Sequence, residues 1–132
     1  MPTPDAARIA RAILTAENDD PEALRAILAP APTWHTPSHN MLGGDHMGRE
    51  QVIRFVKESR EMTQGTLRLD AVGAPQMRGD TGTLRVRAHA RRAGLALDVD
   101  EEIRFRLDAE GRVAELWTKP ADVGAWDRFW AP

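Results

Sequence analysis

The stretch from Leu95 to Leu107 constrains the fold more than any other part of the sequence. Its apolar side chains alternate with charged ones, and this period of two is typical of a β-strand with one buried and one solvated face. Glu101 breaks the pattern, because the alternation places it on the apolar face together with Val99 and Ile103. The sequence therefore predicts a half-buried strand with one carboxyl group pointing inward, unless a bulge turns that side chain to solvent.

Residues 83–91 alternate in the same way and lie just before a turn at Ala93 and Gly94. If these two residues form the loop, an antiparallel hairpin follows with a defined register. Opposite charges then face each other across the strands, and each such pair contributes roughly 0.2–1 kcal/mol. The register predicts four opposed pairs: Arg85 with Glu102, Arg87 with Asp100, His89 with Asp98, and Val86 with Glu101.

The length and composition of the chain limit its class. With 132 residues and 42% hydrophobic content, residues 1–132 are predicted to form one domain with a single core. The net charge is −2 and both signs are interspersed, so we expect no nucleic-acid partner and no membrane partner. The sequence has no cysteine, no basic-then-apolar leader and no apolar run near the ~18 residues of a membrane span. We therefore expect a cytoplasmic protein.

Helix and strand patterns follow one another along the chain. Helix signals come first, strand signals dominate the second half, and an aromatic helix signal closes the sequence. This order favours an α+β fold in which helices cover one face of a curved antiparallel sheet. The predicted helices span residues 3–17, 20–29, 49–62 and 122–130. The predicted strands span residues 33–36, 66–72, 83–91, 95–107 and 112–118, with a loop at residues 37–47 and an irregular segment around Pro75 and Gly79.

Two stretches resemble a known family. The run G-R-E-Q-V-I-R-F at residues 48–55 follows a W-H-T-P strand and a G-G-D loop, and residues 111–130 contain G-R-V-A-E-L-W and D-V-G-A-W-D-R-F-W. Together they resemble the SnoaL-like group of the nuclear transport factor 2-like superfamily over essentially the whole chain. The resemblance implies a cone-shaped domain with three helices in the N-terminal half, a short C-terminal helix, and a pocket between helices and sheet. The superfamily hosts isomerases, cyclases, epoxide hydrolases, dehydratases and non-catalytic binders, so activity depends on the site residues.

Two activities of this superfamily lack their catalytic residues here. Ketosteroid isomerases need a carboxylate base, a tyrosine and a protonated aspartate, and limonene-type epoxide hydrolases need an Asp-Arg-Asp set. The resemblance places other residue types at these positions: Thr36, Ala12 and Ile103 for the isomerase, and Val86, Leu84 and Thr118 for the hydrolase. It therefore disfavours both reactions.

Three titratable residues are the candidate catalytic groups: Glu101, His35 and His39. A carboxyl group among aliphatic side chains has a raised pKa and can exchange protons near neutral pH. Glu101 fits that description if it points inward, whereas a bulge or an arginine partner would make it structural. His35 and His39 lie at a strand end and in the following loop, where histidine suits acid/base chemistry or is simply a surface or hydrogen-bonded residue.

An apolar pocket is predicted between the helices and the inner face of the sheet. Its candidate ligand-binding residues are inward-facing aromatic and aliphatic side chains, together with two threonine hydroxyl groups. An ordinary hydrophobic core is the alternative for the same set. The candidates are Trp34, Thr36, Val86, Ala88, Val99, Ile103, Phe105, Leu116, Thr118, Trp126 and Trp130.

A group of potential metal ligands occurs between residues 35 and 46: His35, His39, Asp45 and His46. Their spacing includes no i,i+4 histidine pair of the kind found in helical metal sites, and no supporting carboxylate can be placed beside them. We therefore expect no metal ion, and we expect no other cofactor.

The sequence leaves three functions open. The first is an enzyme that acts on a small apolar metabolite by cofactor-free proton transfer, as an isomerase, cyclase or dehydratase, with Glu101, His35 or His39 as the base. The second is a non-catalytic small-molecule binder, and the third is a protein-interaction or assembly module. We also expect a homodimer through the outer face of the sheet, because the superfamily commonly pairs there and this face presents rows of both charges.

Overall fold

The computed structural model describes residues 6–37 and 42–132 of the chain. The helices in these ranges are α1 (Ala6–Asn18), a 3₁₀ helix (Pro21–Ala26), α2 (Arg49–Met62) and α3 (Val123–Phe129). The strands are β1 (Leu28–Thr36), β2 (Gly44–Met47), β3 (Arg68–Ala71), β4 (Gln76–Arg78), β5 (Thr81–Arg92), β6 (Leu95–Leu107) and β7 (Val113–Pro120). This arrangement confirms the predicted α+β class.

Short polar side chains fix where two of the helices begin. The predicted second helix is a short 3₁₀ helix, and Asp20 caps it by accepting a hydrogen bond of 3.1 Å from the backbone N–H of Glu22. Asp122 caps α3 in the same way, accepting a hydrogen bond of 3.0 Å from the backbone N–H of Ala125. The second cap sets the start of the aromatic helix that closes over the sheet.

Three predictions about strands were wrong. β1 begins at Leu28 instead of residue 33 and passes through Pro30 and Pro32. The strand accommodates these prolines because its register with β7 shifts between Leu28 and Thr33, where the ladder is interrupted. β2 and β4 lie in segments predicted as a loop and as irregular chain. Both are short strands that pair with a single neighbour. Strands of this length contain too few residues for an alternating pattern to be recognised in the sequence.

The strands form one sheet in the order β2-β1-β7-β6-β5-β3, and β4 also pairs with β5. β5 and β6 pair continuously from Thr81 to Arg92, and all four predicted cross-strand pairs are confirmed. The sheet is antiparallel as predicted except at one pair, because β1 and β7 run parallel. This pairing brings the early and late parts of the chain together.

The inner side of the sheet packs against the helices. α1 contacts β3, α2 contacts β1, and α3 contacts β6 and β7, so the buried apolar side chains form a continuous cluster. Where β5 and β6 approach closely, Gly82 lies opposite Phe105. A Cβ atom at this glycine would stand 2.1 Å from Cζ of the Phe105 ring, so only glycine fits without displacing the ring.

Candidate active site

Glu101 lies in the middle of β6 with its side chain on the inner face of the sheet. It is only 6% exposed, while Asp100 and Glu102 on either side of it face outward. The predicted inward orientation is therefore confirmed, and the continuous register with β5 rules out the bulge that would have turned it outward. Burial raises the pKa of the Glu101 carboxyl group to about 8, and the negative charge of Glu17 adds to the rise.

Glu17 lies in the last turn of α1 and is equally buried, at 6% exposure. Burial raises the pKa of its carboxyl group to about 7, and the positive charge of Arg60 on α2 partly opposes that rise. The Arg60 guanidinium itself donates to the backbone carbonyl oxygen of Glu17, at 2.8 Å, rather than to the carboxylate. Sequence reasoning missed Glu17, although it continues the i,i+4 series of Ile9 and Ile13 and so has a position on the buried stripe.

The two carboxyl groups line the same small cavity between helices and sheet. Its volume is about 20 Å³, which is close to the space that one water molecule requires. α1, α2 and α3 each contribute side chains to its wall, and the rest come from the sheet and from residues next to these elements. The lining residues are Glu17, Leu42, Phe55, Ser59, Leu67, Leu69, Glu101, Thr118, Trp126 and Trp130.

The cavity has polar groups without partners. The indole nitrogens of Trp126 and Trp130 are buried and form no hydrogen bond in the structure. Within residues 6–37 and 42–132, neither the Glu17 nor the Glu101 carboxyl group forms a hydrogen bond or ion pair. Unsatisfied buried polar groups cost stability, so their concentration in one cavity is typical of a site that binds a ligand or moves a proton.

The predicted ligand-binding residues divide into those at the cavity and those in the surrounding core. Thr118, Trp126 and Trp130 line the cavity together with Glu101. Trp34 does not line the cavity but contacts its wall, since the Trp34 indole N–H donates to the Thr118 hydroxyl oxygen at 2.8 Å. The remaining candidates are buried without lining the cavity: Thr36, Val86, Ala88, Val99, Ile103, Phe105 and Leu116. Sequence reasoning missed the contributions of α2 and β3 to the wall, because only the packing of these elements brings them there.

His35 lies on the opposite face of the sheet from Glu101. Its Nδ1 atom is 2.7 Å from Asp45 Oδ1, and its Nε2 atom is 2.7 Å from Glu115 Oε2. Carboxylates only accept hydrogen bonds, so this geometry requires a proton on both nitrogens and hence an imidazolium ion. Partial burial disfavours that charge, but the hydrogen bonds and charges of Asp45 and Glu115 outweigh it and raise the pKa of His35. The structure therefore does not bring His35 and Glu101 together, and His39 lies outside the described residues.

His46 and Asp45, the other described members of the potential metal-ligand group, also have structural partners. His46 stacks on Phe55 with ring centroids 4.2 Å apart, and its Nε2 atom lies 2.9 Å from the carbonyl oxygen of Leu42. Asp45 is the partner of His35. No group of three or more metal-ligating side chains occurs within residues 6–37 and 42–132.

A second, open depression lies on the charged side of the sheet. It has a volume of about 480 Å³, and Glu101 contributes to its wall as well as to the inner cavity. The lining residues are Val72, Arg85, Val86, Asp100, Glu101, Glu102, Lys119 and Ala121. Arg85 and Glu102 pair with each other at 3.5 Å, so these charges stabilise the strand register. Among the described residues, three buried side-chain nitrogen atoms lack a hydrogen bond: those of Trp126 and Trp130 at the small inner cavity, and Arg112 Nε, whose residue does not line it.

Comparison with known proteins places the chain and its fold in a family. The SnoaL-like domain family matches residues 9–116, so the chain belongs to it, as the sequence resemblance indicated. No curated protein sequence matches the chain. The nuclear transport factor 2-like fold of this family includes isomerases and polyketide cyclases.

Three solved structures illustrate the similarity. Bal32a, from a soil-derived mobile gene cassette, is 28% identical, with a TM-score of 0.87 and 95% of each chain covered. A protein of unknown function with a cystatin-like fold from Xanthomonas campestris is 23% identical, with a TM-score of 0.85 and coverage of 96% of this chain and 98% of that one. TerC, crystallised with polyporic acid, is 18% identical, with a TM-score of 0.75 and coverage of 92% and 97%. Among the described residues, no helix is long and apolar enough to span a membrane.

Proposed function

We propose that this chain is an enzyme that acts on a small, largely apolar metabolite by cofactor-free acid/base chemistry, in the isomerase, cyclase or dehydratase range. Glu101 is the group that gives or takes the proton. The observation that supports this proposal is a buried carboxyl group with no partner among the described residues, whose pKa is raised to about 8. Such a group has access to both protonation states near neutral pH, which is the requirement for efficient proton transfer.

The cavity also supplies a means of holding the substrate. The free indole N–H groups of Trp126 and Trp130 can donate hydrogen bonds to an oxygen atom of the substrate. Their rings and Phe55 provide apolar walls. Because the cavity has the volume of about one water molecule, entry of a substrate requires these aromatic side chains to move apart.

A small unsaturated ketone provides a direct test. The probe is 3-cyclopenten-1-one, whose isomerisation to the conjugated 2-cyclopenten-1-one needs removal of one proton and delivery of another and is followed by ultraviolet absorbance. We expect the wild-type protein to accelerate the reaction and Glu101→Gln to reduce kcat by about 100-fold or more, the usual contribution of a general acid or base. Glu102→Gln, on the outer face of the same strand, is the matched control and should retain full activity. Equal rates for wild type and Glu101→Gln would reject the proposed role.

Non-catalytic binding is the second candidate function, and the free indole donors favour it. A ligand oxygen that satisfies Trp126 and Trp130 gains affinity without any proton transfer. A binder would take up 2-cyclopenten-1-one, measured by tryptophan fluorescence, with equal affinity in wild type and Glu101→Gln, and would not isomerise the unconjugated ketone. TerC's co-crystal with polyporic acid supports small-molecule binding as the common property of either candidate.

We also propose a homodimer that forms through the outer face of the sheet. Trp117 lies half-buried on this face, stacked on His35 with ring centroids 5.5 Å apart. Arg87 is already paired within the chain, at 2.8 Å from Asp98 and 3.0 Å from Asp100, so the charges there are largely neutralised before association. Sedimentation at micromolar concentration should show twice the chain mass of 14.7 kDa, and Trp117→Lys should restore the monomer. A wild-type protein that sediments only at 14.7 kDa would contradict the dimer.

A further inference from the structure

Glu17 and Glu101 reach the same cavity from two different layers of the molecule. Glu17 comes from the last turn of α1 on the helical side, and Glu101 from the centre of β6 in the sheet. Both carboxyl groups are buried, and neither has a hydrogen-bonding or ion-pairing partner within the described residues. A lone buried carboxyl group can be a tolerated defect, but two that face one space form a chemical pair.

We infer that Glu17 is a second catalytic residue and that it shares a single proton with Glu101 at neutral pH, so that one carboxylate accepts a proton from the substrate while the other carboxyl group donates one. This inference rests on the proposed function, because it gives that proton transfer its second group. The inference goes beyond the proposed function, because it states how many protons the site holds and which residue carries the negative charge.

The assignment of the two roles follows from the charged groups around the cavity. Arg60, on α2, faces Glu17 and stabilises its ionised form, whereas the charge that acts on Glu101 is the negative one of Glu17. The remaining polar side chains that line the cavity are those of Ser59, Thr118, Trp126 and Trp130, which are uncharged. Glu17 is therefore the first of the pair to ionise and is the base, and Glu101 retains the proton and is the acid.

The proton balance of such a reaction closes within the site. A substrate C–H bond breaks, and its proton forms an O–H bond on the Glu17 carboxylate. The O–H bond of Glu101 breaks, and its proton forms a bond to another atom of the same substrate. The proton on Glu17 then passes to Glu101, directly or through the single water that the cavity accommodates, and the starting state is restored without any change in oxidation state.

This arrangement also restricts the class of substrate. A pair with one proton has a charge of −1 in a space with two indole donors and apolar walls. An anionic substrate would be repelled by that charge, while a neutral molecule with an oxygen acceptor would be accepted. The inferred substrate is thus a neutral, oxygen-bearing compound, and carboxylates and phosphates are excluded.

The shared proton can be tested without measuring activity. Protein labelled with ¹³C in the glutamate carboxyl groups is titrated by nuclear magnetic resonance as wild type, Glu17→Gln and Glu101→Gln. We expect Glu17→Gln to lower the pKa of Glu101 by about one unit or more, the coupling at which two groups titrate as a pair, because it removes a neighbouring negative charge. Glu101→Gln should not lower the pKa of Glu17, because Glu101 is uncharged when Glu17 ionises. Glu102→Gln is the control and should leave both titrations unchanged. An unchanged titration of Glu101 after removal of Glu17 would overturn the inference.

Isomerisation of 3-cyclopenten-1-one then separates this inference from the proposed function. We expect Glu17→Gln and Glu101→Gln to lose activity to a similar extent, and the wild-type kcat to peak in the pH range where the pair holds one proton. Loss of activity in Glu101→Gln but not in Glu17→Gln would preserve the proposed function and overturn this inference. Coupled titration without any isomerisation would support the shared proton and reject the function. If a Gln variant does not fold, two wild-type resonances that titrate near neutral pH with non-single-site curves support the pair, and single-site curves contradict it.

Discussion

Stability should fall as the pH rises from 5 to 9, and Glu101 should account for most of that fall. Between its ordinary pKa of 4.5 and its folded value of about 8, the native state binds a proton that the unfolded state has released. The free energy of unfolding therefore decreases with increasing pH across this window. A rise of this size corresponds to about 5 kcal/mol once the pH exceeds the folded value, at 1.36 kcal/mol per pKa unit. That is a large part of the roughly 5–15 kcal/mol that stabilises a typical domain.

Urea unfolding of wild type and Glu101→Gln at pH 5, 7 and 9 measures this effect. The raised pKa of His35 acts in the same direction. Its contribution to the free energy of unfolding is fully present below the pKa of His35 in the unfolded chain, and it is lost as the pH rises through the pKa of His35 in the folded chain. The raised pKa of Glu17 acts in this direction too, and both His35 and Glu17 are present in both proteins, so the difference between the two proteins isolates the contribution of Glu101. We expect the variant to lose about 3–5 kcal/mol less than wild type between pH 5 and 9. Glu102→Gln should follow the wild-type curve, and parallel curves for wild type and Glu101→Gln would refute the reasoning.

Three substitutions test the surrounding fold by urea unfolding. Gly82→Ala should lower the free energy of unfolding by roughly 1–3 kcal/mol, because the new Cβ would stand 2.1 Å from Cζ of Phe105. Phe105→Leu in the same chain should recover part of the loss, and an unchanged urea midpoint for Gly82→Ala would contradict this packing. Thr118→Val should lower the free energy of unfolding by about 1–3 kcal/mol, because it leaves the Trp34 indole unpaired, and adding Trp34→Phe to the same chain should offset that loss. Independent, additive effects of the two substitutions would argue against the hydrogen bond. His35→Ala should leave the fold intact and lower the free energy of unfolding by about 1 kcal/mol at pH 6, and this loss should vanish at high pH. A pH-independent loss of several kcal/mol would disprove the ionic role of His35.

The candidate site was predictable only as far as local pattern extends. Glu101 was found because a single residue interrupts a long alternation, and its position needs no knowledge of the rest of the chain. Glu17 was not found, because a charged residue in the last turn of a helix ordinarily faces solvent. The contacts of α1 with β3 bury it, and these elements are far apart in sequence. His35 shows the same limit, since its partner Glu115 is 80 residues away.

The amino-acid sequence was sufficient to predict the β5–β6 hairpin, its register and the inward position of Glu101, because side-chain alternation and a two-residue turn are short-range properties. It also determined the family, through the order of the motifs at residues 48–55 and 111–130. Three features became visible only in the folded chain: the parallel pairing of β1 with β7, the cavity shared by the carboxyl groups of Glu17 and Glu101, and the position of His35 on the other face of the sheet. These features depend on how separate elements pack, and no local pattern of residues encodes the contact between two distant segments.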